Sequence, residues 1–361
     1  MVDGLLTLLG VYLIHFAFTK LYVVHGGVPA ENLVRPYPLV PAWIFVAWDA
    51  TLYRGLFENI HHYAFPPGYP LTLRGICEVF GIGRNAFAKS ALLLNILSHA
   101  IICVGFTWYL RNDARTRGIP AWAPVLLLLF FPWHNAFFAA YSESLYLALT
   151  LLAFCLRSKE RIGWGSAVAG LSVLVRTLGT FLVLAFVAEQ LFYCVRDRKF
   201  YWRKLLLASC GLLFVAGWHA FLWSRGTTAY REVYPWVEAL IGEYVAPGQS
   251  PHIWVLKYLS WGGRWGDVLP FWTGIAAIVY CAIRRRPLEF FYLAIFYASM
   301  AVYVYRPFPW SRYVSVLFPV AIMAADLVKR YPRWTAVLVT IVIMHSYRMQ
   351  VELFGMRAGE P

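Results

Sequence analysis

The sequence AKSALLLNILSHAIICVGFTWYL, residues 88–110, is followed at once by the basic segment RNDARTR, residues 111–117. The apolar run has the length of about 20 residues that an α-helix needs to cross the hydrocarbon core of a bilayer. Short connections rich in arginine and lysine stay on the cytoplasmic side of a membrane. The two segments together therefore predict a helix that crosses a membrane and ends in the cytoplasm.

The same combination recurs along the whole chain of 361 residues, which is 60% hydrophobic and only 14% charged. Further basic segments lie at 157–161, 196–204, 284–286 and 329–333, each beside an apolar run. Placing all of them in the cytoplasm predicts an all-α polytopic membrane protein of about eleven crossings, with a cytoplasmic N-terminus. We expect residues 1–361 to form a single transmembrane domain. The net charge of +14 belongs to these connections, so no nucleic-acid partner is predicted.

Residues 162–195 have a basic segment at both ends, so this stretch must cross twice or enter the membrane and return. The sequence Val175-Arg176-Thr177-Leu178-Gly179 interrupts it. A charged residue at membrane depth is costly and usually faces a cavity or a partner. We therefore predict two short apolar halves joined by a polar corner on the outer side.

The outer side then holds two long loops, residues 25–87 and 226–265. Loops of this length without a core of their own are usually functional. The outer side also holds the turns around residues 132–143 and 306–312. Polar residues suited to chemistry concentrate in these segments, which predicts an extracytoplasmic active site.

Asp49 is the first candidate, within Ala47-Trp48-Asp49-Ala50. It is the sole acidic residue within eight positions on either side, among apolar and aromatic neighbours. A carboxylate in such a setting can accept a proton from a hydroxyl as a general base. The alternative is a helix N-cap, a position at which aspartate is preferred.

Two further motifs have both a structural and a functional interpretation. Phe65-Pro66-Pro67-Gly68-Tyr69-Pro70 is a rigid turn, either a binding loop or a corner between two surface helices. In Tyr141-Ser142-Glu143-Ser144, Ser142 or Tyr141 can cap the following helix and Glu143 can stabilise its first turn. Alternatively, Glu143 pairs with Arg176.

Two arginines, Arg306 and Arg312, flank an aromatic turn that contains two prolines. Guanidinium groups match the geometry of phosphate oxygens, which favours an anion-binding role. Arginines at the membrane interface that extend towards water beside an aromatic belt produce a similar pattern.

Four segments in this order resemble the PIG-V family, the GPI mannosyltransferase 2 type of GT-C glycosyltransferase. They are Trp48-Asp49-Ala50, Ala64-Phe65-Pro66-Pro67-Gly68-Tyr69-Pro70-Leu71, Phe138-Ala139-Ala140-Tyr141-Ser142-Glu143-Ser144-Leu145 and Val175-Arg176-Thr177-Leu178-Gly179. The late turn Trp310-Ser311-Arg312-Tyr313 matches more loosely. The chain departs from the family pattern at Ala64, where an aromatic residue is usual, and at Thr177-Leu178, where Ser-Asn is usual.

The resemblance implies a GT-C membrane bundle that transfers mannose, with inversion, from a polyprenyl-phosphate-mannose donor lipid to a glycolipid or other lipid-linked acceptor. Asp49 would be the base, and Arg176, Arg306 and Arg312 would bind the donor phosphate. The remaining donor-binding residues would be Glu143, Ser142, Tyr69 and Trp48. No DxD motif is present, so neither a metal nor another cofactor is expected. The membrane would be the plasma membrane in a prokaryote and the endoplasmic reticulum in a eukaryote.

Three alternatives stay open. The first is a transferase of the same mechanism for another sugar, such as glucose or arabinose. The second is a flippase or transporter of lipid-linked sugars, a class that more often shows internal repeats and ionisable residues near the middle of the bilayer. The third is a non-catalytic subunit of an assembly, which has no need for an isolated Asp49.

Overall fold

A computed structural model describes residues 2–25, 49–58, 65–82, 87–112, 122–130, 140–226, 265–303 and 316–334, and a few shorter segments at 119, 137–138, 313–314, 337, 340–342 and 344. Helices and turns make up this part of the chain, without any strand. The predicted all-α fold is confirmed there.

Helices occupy the two apolar runs described above, 88–110 and 162–195. In chain order the helices are α1 Val2–His25, α2 Asp49–Glu58, α3 Gly68–Val79, α4 Phe87–Asn112, α5 Trp122–Phe130, α6 Glu143–Ser158, α7 Ile162–Val175, α8 Gly179–Arg196, α9 Trp202–Ala208, α10 Leu212–Ser224, α11 Trp265–Ile283, α12 Pro287–Tyr303 and α13 Pro319–Arg330. A 3₁₀ turn, Ser209–Gly211, joins α9 to α10.

Three of these segments are long and apolar enough to cross a membrane, judged by length and composition: Phe87–Asn112, Gly179–Arg196 and Trp202–Ser224. They indicate a membrane-associated protein. The number of crossings and the side on which each connection lies stay predictions.

The first long loop, residues 25–87, is partly helical. Helices α2 and α3 lie within it, and Tyr53, Leu56 and Phe57 of α2 are buried. Their spacing of three and four residues forms one apolar face, as expected for an amphipathic helix. Charged residues between them, such as Arg54, lower the mean hydropathy, which is why the segment does not stand out as a membrane span.

The chain divides into two compact units. The first comprises 1–59, 69–151 and 324–361, and the second comprises 60–68 and 152–323. In the first unit α1 packs against α4 and α5, and α4 packs against α5. In the second unit α8 packs against α7 and α12, α11 packs against α12, and α7 packs against α9 and α10. The expected single domain over residues 1–361 stays a prediction.

The predicted interruption at Arg176 is confirmed, since α7 ends at Val175 and α8 begins at Gly179. Arg176 has an extended backbone, with φ −148° and ψ 138°, and its N–H donates to the Ser172 carbonyl. A Cβ on Gly179 would overlap the backbone of Ser172 and Val173, so only glycine allows this close approach.

A buried ion pair joins α6 to α8 within the second unit. The Arg157 guanidinium donates twice to Glu189, at 2.7 Å from Nε to Oε2 and 3.1 Å from Nη2 to Oε1. The two side chains are 14% and 4% exposed. The Gln190 amide also donates to Glu189, at 3.0 Å. This bidentate geometry is the strong form of an arginine–carboxylate contact.

Replacing Gly68 by alanine is expected to destabilise the protein by about 1–3 kcal/mol. The added Cβ would overlap the Leu174 carbonyl, a backbone atom of α7 that has no rotamer with which to move away. Thermal unfolding in detergent measures the effect. Gly217 is the matched control, because its Cβ would meet nothing within 4 Å. Gly217→Ala should stabilise α10 by about 0.5–1 kcal/mol, and equal unfolding temperatures for both variants would contradict the prediction.

Candidate functional site

Three consecutive buried polar residues lie at the start of α6, which begins at the second of them. Ser142, Glu143 and Ser144 each have 0% exposed surface. Successive residues of a helix point about 100° apart, because one turn holds 3.6 residues. Since buried polar groups are nearly always hydrogen-bonded, the turn must contact different partners in different directions.

Ser142 contacts the helix that begins at Asp49. The Ser142 hydroxyl lies 2.7 Å from the hydroxyl of Tyr53, and both groups are buried. Asp49 is the first residue of α2 and precedes Tyr53 by four positions. The tyrosine that reaches Ser142 therefore lies about one helical turn after the predicted base.

Tyr69, in the first turn of α3, lies beside Tyr53. Their ring centroids are 5.0 Å apart, with an angle of 61° between the rings. The Tyr69 hydroxyl is buried, and no hydrogen bond reaches it within the described part of the chain. Burial raises the pKa of Tyr69 well above its usual range, and the neighbouring Tyr53 and Glu143 raise it further. The group therefore stays protonated at neutral pH as a hydrogen-bond donor.

Ser144 connects the same turn to α4 and α1. Its hydroxyl donates to the Phe137 carbonyl at 2.6 Å, and it lies 3.1 Å from Nε2 of His99. The hydroxyl of Tyr12 lies 3.0 Å from the other ring nitrogen, Nδ1. Because the only hydrogen of Ser144 is used on Phe137, His99 donates from Nε2 and accepts at Nδ1 from Tyr12. With the proton of a neutral His99 on Nε2, the hydroxyls of Tyr12 and Ser144 and the imidazole of His99 each have a hydrogen-bond partner.

Residues of two motif segments, the proline-rich turn and the start of α6, thus meet Tyr53 inside the first unit. The helix of Asp49 contributes Tyr53, the proline-rich turn contributes Tyr69, and the first turn of α6 contributes Ser142 and Glu143. We call these four residues the tyrosine–serine cluster. As predicted, Glu143 is the first residue of α6, where the helix dipole favours a negative charge.

Of the three predicted arginines, Arg176 lies within the described residues. Arg176 belongs to the second unit, where its guanidinium lies 5.7 Å from the ring centroid of Tyr313. Within that unit the Gly68 backbone contacts Leu174 and Val175, so the proline-rich turn adjoins the segment before Arg176. Pairing of Glu143 with Arg176 stays a prediction.

Three predicted site residues, Trp48, Arg306 and Arg312, lie outside the described residues. Of Asp49, the backbone at the start of α2 is described. Its role as base, like the alternative role as a cap, stays a prediction.

Sequence analysis missed Tyr53 and His99. Tyr53 could have been found from its spacing of four residues after Asp49. His99 lies with Asn95 and Ser98 in the middle of the largely apolar run 88–110. Polar residues grouped within a membrane helix usually face the protein interior, and this signal was available.

Tyr53→Phe is expected to lower the free energy of unfolding by about 0.5–1.5 kcal/mol, the net contribution of a typical hydrogen bond. The variant keeps the ring contact with Tyr69 but leaves the buried Ser142 hydroxyl without this partner. Thermal unfolding measures the loss. Tyr331→Phe, at a side chain that is 58% exposed, is the control and should change nothing. A Tyr53 variant as stable as this control would contradict the prediction.

Within the described ranges, no group of three or more His, Cys, Asp or Glu residues is arranged to hold a metal ion. Independence from metals and other cofactors stays a prediction.

Comparison of the chain with models of protein families, with curated proteins and with solved structures found no match.

Proposed function

We propose that this protein is a membrane-bound glycosyltransferase that transfers mannose from polyprenyl-phosphate mannose to a lipid-linked glycan. The observation that carries the proposal is the tyrosine–serine cluster. Its buried polar groups come from Tyr53 and from two segments singled out for their chemistry, up to 89 residues apart along the chain. Asp49 begins the helix that holds one of them.

The proposed reaction is a single displacement at C1 of the sugar. Asp49 takes the proton of the acceptor hydroxyl, and the hydroxyl oxygen forms a bond to C1. The bond from C1 to the phosphate oxygen breaks, and polyprenyl phosphate leaves with the electron pair. The configuration at C1 inverts. One general base contributes about 10²- to 10⁴-fold to such a step.

A lipid phosphate is already a good leaving group, so cations assist it more than a general acid does. Arg176, Arg306 and Arg312 are the proposed cations, since guanidinium groups bind phosphate oxygens in a bidentate manner. Positive charge that is already in place where negative charge develops is among the largest contributions to catalysis.

The cluster supplies sugar-binding groups in this proposal. The protonated Tyr69 hydroxyl can donate to a sugar hydroxyl or to a phosphate oxygen, and Glu143 can accept from a sugar hydroxyl. Ser142 holds Tyr53 in place. Trp48 would stack on a sugar ring, because the face of an indole suits the apolar face of a sugar.

The proposed topology has about eleven crossings, with the N-terminus in the cytoplasm and the active site on the extracytoplasmic side. The basic connections favour this orientation. The membrane would be the plasma membrane in a prokaryote and the endoplasmic reticulum in a eukaryote.

A transfer assay tests the function. The full chain in nanodiscs receives radiolabelled polyprenyl-phosphate mannose, a panel of lipid-linked glycan acceptors, and EDTA. We expect label to move to at least one acceptor. Parallel reactions with polyprenyl-phosphate glucose and arabinose identify the sugar.

Binding of the donor without transfer to any acceptor would contradict the proposal. In that case a second measurement distinguishes the transporter alternative. Movement of labelled donor between the leaflets of proteoliposomes, absent from protein-free liposomes, would identify a flippase.

A further inference from the structure

A groove of about 510 Å³ runs along α1 in the first unit, between α1, the end of α4 and the start of α5. This volume lies in the range of small-molecule sites. Its apolar part is lined by Leu6, Gly10, Ile14, Ile119, Trp122 and Leu126, and its polar part by Asp3, Thr7 and Arg111.

The groove has the length of one lipid leaflet. Its lining on α1 extends from Asp3 to Ile14, eleven residues of helix, which is about 16 Å at 1.5 Å per residue. The hydrocarbon core of a bilayer is about 30 Å thick, so the groove covers about half of it. The neighbouring α1 side chains Leu5, Leu9 and Leu13 are exposed, as expected for a helix that faces lipid.

The polar part carries one charge of each sign. Arg111 and Asp3 form an ion pair, with side chains 60% and 56% exposed. Water screens a pair so exposed, and it contributes little net free energy. A ligand that offers both a cation and an anion can therefore replace the mutual contact at little cost.

We propose that this groove binds one phospholipid whose headgroup carries both a phosphate and a primary ammonium, as in phosphatidylethanolamine. The phosphate binds Arg111, the ammonium donates to Asp3, and one acyl chain lies along Leu6, Gly10 and Ile14. The site is separate from the tyrosine–serine cluster and does not depend on the proposed transferase activity.

The charges of the polar part select among headgroups. A headgroup with only negative charge gains Arg111 but is repelled by Asp3. The quaternary ammonium of phosphatidylcholine has no N–H with which to donate to a carboxylate. A primary ammonium donates three hydrogen bonds, so the pair of Asp3 and Arg111 fits this headgroup best.

Native mass spectrometry of the full chain in detergent tests the site. The protein is mixed with equal amounts of phosphatidylethanolamine, phosphatidylglycerol and phosphatidylcholine of identical acyl chains, and, in a separate competition, with undecaprenyl phosphate. Gly10→Phe is designed to block the groove, and among the described residues its Cβ would meet no neighbouring side chain or element within 4 Å. Gly217→Phe is the matched control, on α10, at a position equally open.

We expect wild type and Gly217→Phe to retain one phosphatidylethanolamine in preference to the other two phospholipids, and Gly10→Phe to retain at least fivefold less. Asp3→Asn, at a side chain that is 56% exposed, should lower the ratio of bound phosphatidylethanolamine to phosphatidylglycerol severalfold. Arg111→Gln should lower retention of both.

Equal retention of phosphatidylethanolamine by Gly10→Phe and Gly217→Phe would show that the lipid does not bind in the groove. An unchanged headgroup ratio in Asp3→Asn would overturn the headgroup assignment. Displacement of phosphatidylethanolamine by equimolar undecaprenyl phosphate would also overturn the headgroup assignment, and would identify the ligand of the groove as a polyprenyl lipid.

Discussion

Replacing Asp49 by asparagine is expected to reduce the rate of mannose transfer by about 10²- to 10⁴-fold, the range for loss of a general base. The amide has nearly the same shape as the carboxylate but does not accept the proton of the acceptor hydroxyl. Donor binding should be unchanged, because the proposed phosphate contacts are arginines. The initial rate of transfer and the affinity for the donor are measured on the same preparation.

This substitution also separates the two interpretations of Asp49. Asparagine and aspartate are about equally good N-caps, so a residue that only caps α2 predicts full activity in Asp49→Asn. Asp49→Ala adds the complementary test, since loss of a cap costs about 0.5–2 kcal/mol of stability.

Asp197 provides a matched control for the base. It follows α8, its side chain is 31% exposed, and it pairs with Arg196. Asp197→Asn makes the same chemical change far from the tyrosine–serine cluster in sequence and should leave the transfer rate unchanged. A transfer rate in Asp49→Asn equal to that of this control would exclude Asp49 as the base.

Glu189→Leu is expected to lower the free energy of unfolding by about 3–5 kcal/mol, the cost of breaking a buried ion pair from one side. The variant leaves the Arg157 guanidinium, which is only 14% exposed, without the carboxylate that receives two of its hydrogen bonds. Thermal unfolding in detergent, with circular dichroism to follow helicity, measures the loss.

A second carboxylate that pairs with Arg157 provides the control for Glu189→Leu. Glu160 also pairs with Arg157, at 3.2 Å, but its side chain is 72% exposed. Glu160→Gln should change the unfolding temperature little, because exposed pairs are screened by water. In the double variant Arg157→Met with Glu189→Leu, most of the lost stability should return, since no charge is left buried. A double variant as unstable as Glu189→Leu would show that packing, and not the unpaired charge, causes the loss.

Much of the helical arrangement could be predicted from hydropathy. The run 88–110 became α4, Phe87–Asn112, and the interruption at Arg176 separates α7 from α8. Membrane helices are readable in this way because the bilayer demands long, uniformly apolar segments. Helices α2 and α3 were not predicted as buried elements, because their apolar faces alternate with charged residues and depend on partners distant in the sequence.

The candidate site was predictable in its motifs but not in its contacts. Ser142 and Glu143 were identified as a capping pair or as ligands, and both interpretations agree with their position at the start of α6. That Ser142 meets Tyr53, 89 residues earlier, depends on the packing of two helices, which no local pattern encodes. Glu189 was overlooked, although an acidic residue within an apolar helix is itself a signal of a buried partner.

The polar contacts at the start of α6 also constrain insertions and deletions within that helix. Ser142 and Ser144 anchor the start of the helix, while Tyr146, Leu147 and Leu151 bury its apolar face in the first unit. One residue inserted after Ser144 would rotate the apolar face by about 100° relative to the anchored turn. An insertion or deletion within the helix is therefore expected to separate the two sets of contacts. The polar contacts at the start of α6 and the apolar contacts along it keep their partners only if the number of residues between them stays the same.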